Sequence, residues 1–252
     1  MARISYDDQT AAAFKAVREV PRDGLSEWRE AVRRHLRPWP GMTLVDIGAG
    51  TGAFAAAFSD WFDLSVLAVE PSAAMRDQIP RTPAVQVLEG HASALPLPDQ
   101  SADAAWLSLV IHHISDLGVA ANEIRRVLRP RAPVLIRQGF PGRVDRVELV
   151  RWFPETARTV DTYPSVDDTC TAFATVGFHQ ATIEQVRETY SISLAEFLDQ
   201  VETFRESDTT MRNLSDAEFF RGKERLRRAV RGADDTANLE IRSNWLDLLV
   251  LR

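Results

Sequence analysis

The chain has 252 residues, which suits one large domain with a substantial core. Its formal net charge of −6 argues against nucleic acid as a partner, and no apolar run approaches the roughly 20 residues of a membrane helix. The single cysteine, Cys170, excludes an internal disulfide and suits a reducing compartment, so we expect a cytoplasmic protein without a membrane partner.

Two helices are predicted in residues 1–40. The first covers residues 8–20, and the second runs through Leu36 until Pro38 ends it. A predicted buried strand over residues 44–47 then leads into a glycine-rich turn.

That turn is the most informative stretch of the chain. Gly48, Gly50 and Gly52 let the backbone bend sharply and let a ligand approach without meeting a side chain. The N–H groups of the helix that follows are expected to favour a polar or anionic ligand group. Asp46 lies inside the apolar strand, where a carboxylate costs free energy unless the ligand or the N–H groups of the loop pair with it.

Two nucleotide-binding folds compete for this turn. Gly48, Gly50 and Ala53 satisfy the dinucleotide pattern G-x-G-x-x-A, with Glu70 near the distance expected for an acid that binds a ribose. That pattern normally follows an apolar strand, however, and Asp46 interrupts it. With the extra glycine at position 52, residues 46–52 read Asp-x-Gly-x-Gly-x-Gly, which resembles motif I of the class I S-adenosylmethionine-dependent methyltransferases.

The second predicted strand, residues 64–69, ends in Glu70. A carboxylate here can accept both hydroxyl groups of a ribose; the alternative is that Glu70 caps the helix predicted over residues 72–78. The resemblance also places Pro71 in the cofactor site. Met75 is suited to pack against an adenine face, although a helical Met is often plain core.

After the third strand the family often reads Gly-Asp-Ala-Glu-x-Leu-Pro-Phe. His91 and Ser93 replace the two acids of this motif, while the other matching positions are Gly90, Ala92, Leu95 and Pro96. The resemblance implies that position 91 accepts a bond from the adenine amino group, which a neutral imidazole can do. The backbone of Ala92 and Ser93 would read the adenine edge. The alternative is a surface histidine.

Residues 103–116 are similar to the fourth strand of the family and its Leu-His-His-x-x-Asp ending. The resemblance places Leu109 beside the cofactor. His112 and His113 are candidate general bases, with His112 favoured, because imidazole titrates near neutral pH. The alternative is a structural turn in which one histidine bonds the backbone. Asp116 is expected to cap the next helix.

That helix is predicted over residues 122–128 by its apolar spacing, and Arg129-Pro130 ends it. Residues 123–130 resemble the family's E-x-x-R-V-L-(K/R)-P segment. The usual Gly-Gly that follows is Arg131-Ala132 here, so the turn is made either without a positive φ or with strain. The fifth strand is predicted over residues 133–138. Five ordered motifs between residues 44 and 138 favour the methyltransferase over the dinucleotide interpretation.

The remaining chain predicts a helix over residues 166–176, a strand over 180–187, helices within 193–232 and a last strand over 244–251. The basic residues between 221 and 231 are expected on a solvated helix face, with apolar side chains facing inward from Phe219, Phe220, Leu226 and Val230. The alternatives are that this cluster binds an anionic substrate or, less favoured, RNA.

The motifs together predict an α/β fold: a Rossmann-like, seven-stranded, mostly parallel sheet with an antiparallel last strand, helices on both faces and a helical cap. We expect one methyltransferase domain over residues 1–252. Its expected parts are a lid (1–40), a cofactor-binding core (41–140), the rest of the core (141–192 and 233–252) and a helical cap insertion (193–232).

Two groups of residues are candidates for contact with the acceptor. Tyr6, Phe14 and Arg18 resemble the "Y-D-x-x-A-x-x-Y/F … R-x-x-P" segment that closes over the cofactor in related small-molecule methyltransferases. Trp152 and Tyr163 are candidates to line the pocket. Plain packing is the alternative for the aromatic residues, and a surface ion pair for Arg18.

The resemblance implies transfer of a methyl group from S-adenosylmethionine to a small molecule, leaving S-adenosylhomocysteine, with no metal. Oxygen is the favoured acceptor atom, with nitrogen or carbon as the other choices. One alternative keeps the cofactor but catalyses a cyclisation or elimination; another is a non-catalytic cofactor-binding subunit. The oligomeric state stays open.

Overall fold

The structure is a computed structural model that describes residues 20–190, 192–232 and 242–252. Tyr6, Phe14 and Arg18, together with nearly all of the first predicted helix, lie outside the described residues. Their predicted roles therefore stay predictions.

A seven-stranded mixed sheet organises the chain. Its strand order is β3-β2-β1-β4-β5-β7-β6, and β7 runs antiparallel to β5. The predicted Rossmann-like sheet with an antiparallel last strand is thereby confirmed. The bounds are β1 (Thr43–Ile47), β2 (Ser65–Val69), β3 (Val85–Leu88), β4 (Ala104–Ser108), β5 (Val134–Gln138), β6 (Gln180–Tyr190) and β7 (Arg242–Leu251).

The position of β1 locates the candidate site. This strand pairs in parallel with β2 on one side and with β4 on the other, so the order of the strands reverses at β1. In open α/β sheets, ligands bind outside the carboxyl ends of the strands at such a reversal. The glycine turn leaves β1 at that end.

Ten α-helices lie in the described part of the chain. They are α1 (Ser26–Leu36), α2 (Ala53–Phe62), α3 (Ala73–Arg76), α4 (Leu117–Val127), α5 (Glu148–Trp152), α6 (Ala157–Val160), α7 (Val166–Ala174), α8 (Leu194–Ser207), α9 (Thr209–Arg212) and α10 (Asp216–Gly232). None of these helices is long and apolar enough to span a lipid bilayer.

Local signals explain several helix starts. Ser193 caps α8 through a reciprocal pair of bonds with Glu196, as the capping box predicts. Asp116 caps α4, where its Oδ1 accepts the backbone N–H of Val119 at 3.0 Å. The cap predicted at Asp116 is confirmed. Helix α4 begins at Leu117, five residues before the start at Asn122 that the apolar spacing indicates.

The described residues divide into two compact units. The sheet unit comprises residues 29–139, 164–185 and 247–252, and the helical unit comprises the described parts of residues 1–28, 140–163 and 186–246. Residues 140–163 group with the helical unit, and the predicted division of the chain into a lid, a core and a cap stays a prediction.

The helical unit has an apolar core of its own. Gly222 lies in α10 against Phe153, where a Cβ atom would be 2.1 Å from Cδ1 of the ring, and Phe153 stacks on Phe219. The inward stripe of α10 is therefore Phe219, Gly222 and Leu226, which follow helical spacing. Phe220, expected to face inward, is 60% exposed, because the position after Phe219 is turned about 100° away from that stripe.

The basic side chains of α10 make ion pairs with nearby acids. Arg225 pairs with Glu155 at 3.2 Å and Arg231 pairs with Glu224 at 2.9 Å, while Lys223 pairs with Glu202. These contacts are partly or fully solvated, in keeping with the predicted solvated face.

Candidate active site

Glycine is required at the three positions of the turn after β1 for different physical reasons. All have positive φ angles: 71° at Gly48, 56° at Gly50 and 80° at Gly52. A Cβ at Gly48 would lie 2.5 Å from Val110, and one at Gly52 would lie 2.6 Å from Ile79. A Cβ at Gly50 would meet no atom of the described residues within 4 Å. Two glycines therefore permit close packing, and no residue of the described parts of the chain fills the space beside Gly50.

The N–H groups of this turn are held by the chain itself. Those of Gly48 and Ala49 both donate to the carbonyl of Val69, at 2.8 and 3.1 Å, and that of Gly52 donates to Ala49 at 2.9 Å. The N–H of Gly50 donates to the side chain of Glu70. Helix α2 then begins without a side-chain cap, because its N-cap residue is Gly52.

Glu70 connects the turns that follow β1 and β2. Its Oε2 accepts the Gly50 N–H at 2.9 Å, and its Oε1 accepts the Ser72 N–H at 2.9 Å. Burial raises the pKa of this carboxyl, while the two backbone bonds, Arg76 and His91 act in the opposite direction. Ser72 is the N-cap residue of helix α3, and Glu70 accepts the backbone N–H of that residue, so a role of Glu70 at the start of this segment stands beside the ribose role.

Arg76 holds the turn after β2 through the carbonyl groups of Glu70 and Pro71. Its Nη1 donates to the carbonyl oxygens of Glu70 and Pro71 at 2.9 and 2.8 Å, and its Nη2 reaches Glu89 at 2.9 Å. Sequence reasoning missed Arg76 because its partners are backbone carbonyls, which leave no trace in residue type. Met75, the neighbouring residue, is buried, as either of its predicted roles requires.

Asp46 is a buried carboxyl with an unused oxygen. Only 1% of the residue is exposed, and Oδ2 makes no hydrogen bond within the described parts of the chain. Burial, and then the charge of Glu70, raise the pKa of Asp46 to about 8. A buried acid of this kind favours a positively charged or hydrogen-bond-donating neighbour.

The segment predicted to read adenine forms a narrow turn after β3. The backbone of His91 pairs with Ala94 in both directions, and the His91 side chain is exposed. Glu123 accepts the Leu95 N–H at 3.0 Å, and Arg126 donates to the carbonyl of Leu95 at 3.1 Å. The E-x-x-R pair of helix α4 thus fixes the segment that contains His91, Ala92 and Ser93.

Two histidines follow the carboxyl end of β4. Leu109 has a positive φ of 54° and donates its N–H to the carbonyl of Arg137 at 2.8 Å. A 3-10 turn over Ile111–His113 comes next, and the half-buried rings of His112 and His113 lie 4.1 Å apart. Gln138, a buried residue that sequence reasoning missed, places its Nε2 3.3 Å from Nδ1 of His112.

The other predicted pocket residues belong to the helical unit. Trp152 is buried in its apolar core and donates its indole N–H to Glu148 at 2.8 Å, and Tyr163 is half-buried. Their contact with an acceptor stays a prediction. The sheet unit holds every predicted cofactor residue and both histidines. Among the described residues, no group of three or more His, Cys, Asp and Glu side chains is arranged to hold a metal ion.

Comparison with known proteins agrees with this geometry. A family model described as a methyltransferase domain matches residues 45–136, from within β1 through β5. Residues 45–136 are therefore assigned to a methyltransferase domain. The matched range contains the glycine turn, Glu70, the His91 segment and both histidines.

Two curated relatives carry different chemistry in their names. The ubiquinone/menaquinone biosynthesis C-methyltransferase UbiE of Caulobacter vibrioides is 31% identical over 137 residues, covering 49% of this chain and 54% of the relative. The malonyl-[acyl-carrier protein] O-methyltransferase of Yersinia pestis is 32% identical over 151 residues, covering 57% and 55%. The chain matches about half the length of each of these methyltransferases.

A solved structure shares the fold over nearly the whole chain. It is described as a methyltransferase from an antibiotic biosynthesis pathway of Anabaena variabilis, with a TM-score of 0.72 and 22% identity, covering 93% of this chain and 98% of its own. The shared fold therefore includes parts of the chain outside residues 45–136.

Proposed function

We propose that this protein transfers the methyl group of S-adenosylmethionine to a small-molecule acceptor. The observation that carries the proposal is the Glu70 carboxylate, buried at the end of β2 and fixed by the N–H groups of Gly50 and Ser72. Each oxygen accepts one backbone bond and keeps acceptor capacity for a second. A ribose offers two neighbouring hydroxyl donors, which match that remaining capacity.

The other residues of the site fit the same cofactor. No residue of the described parts of the chain fills the space beside Gly50, so a ligand can approach the backbone there. Met75 and the segment containing His91, Ala92 and Ser93 would hold the adenine, and Leu109 would contact the cofactor after β4. A cationic cofactor next to Asp46 would lower the raised pKa of this carboxyl and so favour its charged form.

Electrostatics favours this cofactor over a dinucleotide. Asp46 and Glu70 are both buried, and the charge of Glu70 helps to raise the pKa of Asp46. A pyrophosphate would add negative charge next to two acids and increase that repulsion. A ligand with a sulfonium and an ammonium group would reduce it.

The chain's own contribution to the reaction is alignment, exclusion of water and, for an acceptor that carries a proton, its removal. Bound S-adenosylmethionine would supply a methyl group on positively charged sulfur, with the sulfur as the leaving group in line opposite the acceptor atom. Holding the acceptor in that line removes much of the entropic barrier. His112 and His113 are the candidates to accept a proton from a hydroxyl group.

We favour oxygen as the acceptor atom, because an imidazole pair can take the proton of a hydroxyl group. Because one relative is named for C-methylation and another for O-methylation, carbon is the second choice of acceptor atom. A non-methylating reaction that keeps the cofactor bound is the runner-up function. These alternatives differ in whether S-adenosylhomocysteine accumulates.

Calorimetry with S-adenosylmethionine, S-adenosylhomocysteine and NAD tests the cofactor. We expect the first two to bind and NAD not to bind. Methyl-labelled cofactor and extracts of small molecules then test the reaction, with a product that gains 14 daltons as the expected result. Binding of NAD alone would overturn the proposal. Turnover of the acceptor without formation of S-adenosylhomocysteine would favour the runner-up.

A further inference from the structure

Gln138 is a buried polar residue at the end of an apolar strand. Strand β5 runs Val134–Gln138, and only 1% of Gln138 is exposed. Burial of an amide costs free energy unless its polar atoms are bonded. Its Nε2 lies 3.3 Å from Nδ1 of His112 and 3.3 Å from the carbonyl oxygen of Gly139, whereas its Oε1 makes no hydrogen bond within the described residues.

The Gly139 carbonyl determines which way the Gln138 amide faces. A carbonyl oxygen only accepts, so an amide oxygen in the same place would be repelled, and the amide group must present its nitrogen. That nitrogen carries two hydrogens. One is directed to Gly139 and the other to Nδ1 of His112.

We infer that Gln138 is a positioning residue that fixes the tautomer of His112 with the proton on Nε2. Because Gln138 donates, Nδ1 of His112 must hold its lone pair toward the amide, and the neutral ring then carries its hydrogen on the other nitrogen. This inference rests on the proposed function for its catalytic meaning, but the tautomer itself can be measured without any ligand.

The tautomer assigns a role to His112 that differs from the one favoured by sequence. A neutral His112 with Nε2–H can donate a hydrogen bond to an acceptor oxygen, and so orient it, but has no lone pair left to take a proton. His113 then becomes the candidate base for an acceptor that carries a proton. Gln138 acts through His112 and itself touches no reacting atom.

Nitrogen NMR of the full-length protein tests the inference directly. In uniformly 15N-labelled protein, at a pH where the imidazole is neutral, long-range correlations distinguish Nε2–H from Nδ1–H histidines. A His112→Asn variant identifies the signals. We expect His112 to be an Nε2–H tautomer. An Nδ1–H tautomer in the unsubstituted protein would overturn the inference, whatever the outcome of any variant.

A second experiment reverses the direction of the hydrogen bond between residue 138 and His112. Gln138→Glu replaces the donor with a carboxylate that can only accept, so the His112 proton is expected to move to Nδ1. Asp247 is fully buried and is the register partner of Gln138 across β5 and β7. The variant is therefore combined with Asp247→Asn, which keeps one buried carboxylate at this pair. A tautomer that stays Nε2–H in the folded double variant contradicts control by position 138.

Kinetics links the tautomer to turnover. Gln138→Met keeps the volume but removes the donor, and we expect kcat to fall about fivefold, about the worth of one neutral hydrogen bond, with the Kd for S-adenosylmethionine unchanged. The control is Gln86→Met, the same change at an exposed position of β3. Equal kcat in both variants would overturn the positioning role. If the unsubstituted protein does not bind S-adenosylmethionine, the proposed function is overturned, but the NMR result on the His112 tautomer is unaffected.

Discussion

The Glu70 carboxylate and the Gly50 N–H group form a hydrogen bond of 2.9 Å that joins the turn after β1 to the end of β2. The proposed ribose acid therefore also shapes the glycine turn. Changes at either residue should affect cofactor binding, for reasons that can be separated.

Glu70→Gln should weaken S-adenosylmethionine binding by about 10- to 100-fold, because hydrogen bonds to a charged group are worth about 1.5–3 kcal/mol. Calorimetry measures the change. The control is Glu30→Gln, which removes an exposed carboxylate of α1 that pairs with Arg33 on the same helix. Unchanged affinity in Glu70→Gln would contradict the ribose assignment.

Gly50→Ala and Gly41→Ala form a matched pair. Both glycines have positive φ angles, 56° and 79°, and neither has an atom of the described residues within 4 Å of an added Cβ. Each substitution should therefore lose about 1 kcal/mol of folding free energy through backbone strain. Only Gly50→Ala should also lose cofactor affinity, as measured by calorimetry on the folded variants. Equal affinities would mean that the space beside Gly50 holds no ligand.

Asp46→Asn should change how stability depends on pH. The pKa of Asp46 is about 8 in the folded chain, against an ordinary value of 3.8 for an aspartate, so the folded state binds an extra proton between those values. The stability of the unsubstituted protein therefore falls as pH rises through this window, by at most about 1.4 kcal/mol per pH unit from this group. In urea unfolding at pH 5.5, 6.5 and 7.5, the free energy of unfolding of the variant should rise relative to that of the unsubstituted protein as the pH rises. Parallel curves would refute the raised pKa.

Arg76→Met should lower cofactor affinity without any contact between Arg76 and the cofactor. The guanidinium group holds the carbonyls of Glu70 and Pro71, and two lost bonds of about 1 kcal/mol each correspond to a fall of about tenfold or more. Glu89→Gln is the control, because the Glu89 side chain is 73% exposed and such a surface pair contributes little. If both variants bind alike, Arg76 does not position the ribose acid.

Arg131→Gly should stabilise the fold. Arg131 has a φ of 67°, so the turn that replaces the family's Gly-Gly is made with a strained non-glycine residue. Glycine removes that strain but loses more entropy on folding, and a net gain of up to about 1 kcal/mol is expected. Arg81→Gly, at an exposed residue outside the positive φ region, should lose stability in the same urea assay. A loss at both positions would show that Arg131 is unstrained.

The sheet was predictable because its signals are local. Apolar runs predict β1 to β5, glycine and proline mark their ends, and Asp116 and Ser193 carry recognisable caps. For the turn at Arg131-Ala132 the sequence left two choices open, and the positive φ of Arg131 shows that the turn is made with strain.

The parts that were missed depend on contacts between distant residues. Arg76 binds carbonyl oxygens, and Gln138 meets His112 only because β4 and β5 are neighbours in the sheet. The N–H groups of the turn donate to Val69 and Glu70 only because β1 pairs in parallel with β2. Residue types alone predict none of these bonds.

The turn over residues 48–52 keeps its shape through bonds to its own chain, so ligand capture spends no conformational entropy on ordering it. Association rates should then be nearly the same for S-adenosylmethionine, its demethylated product and close analogues. Their affinities should differ through residence time, and product escape becomes a candidate for the slowest step of the cycle.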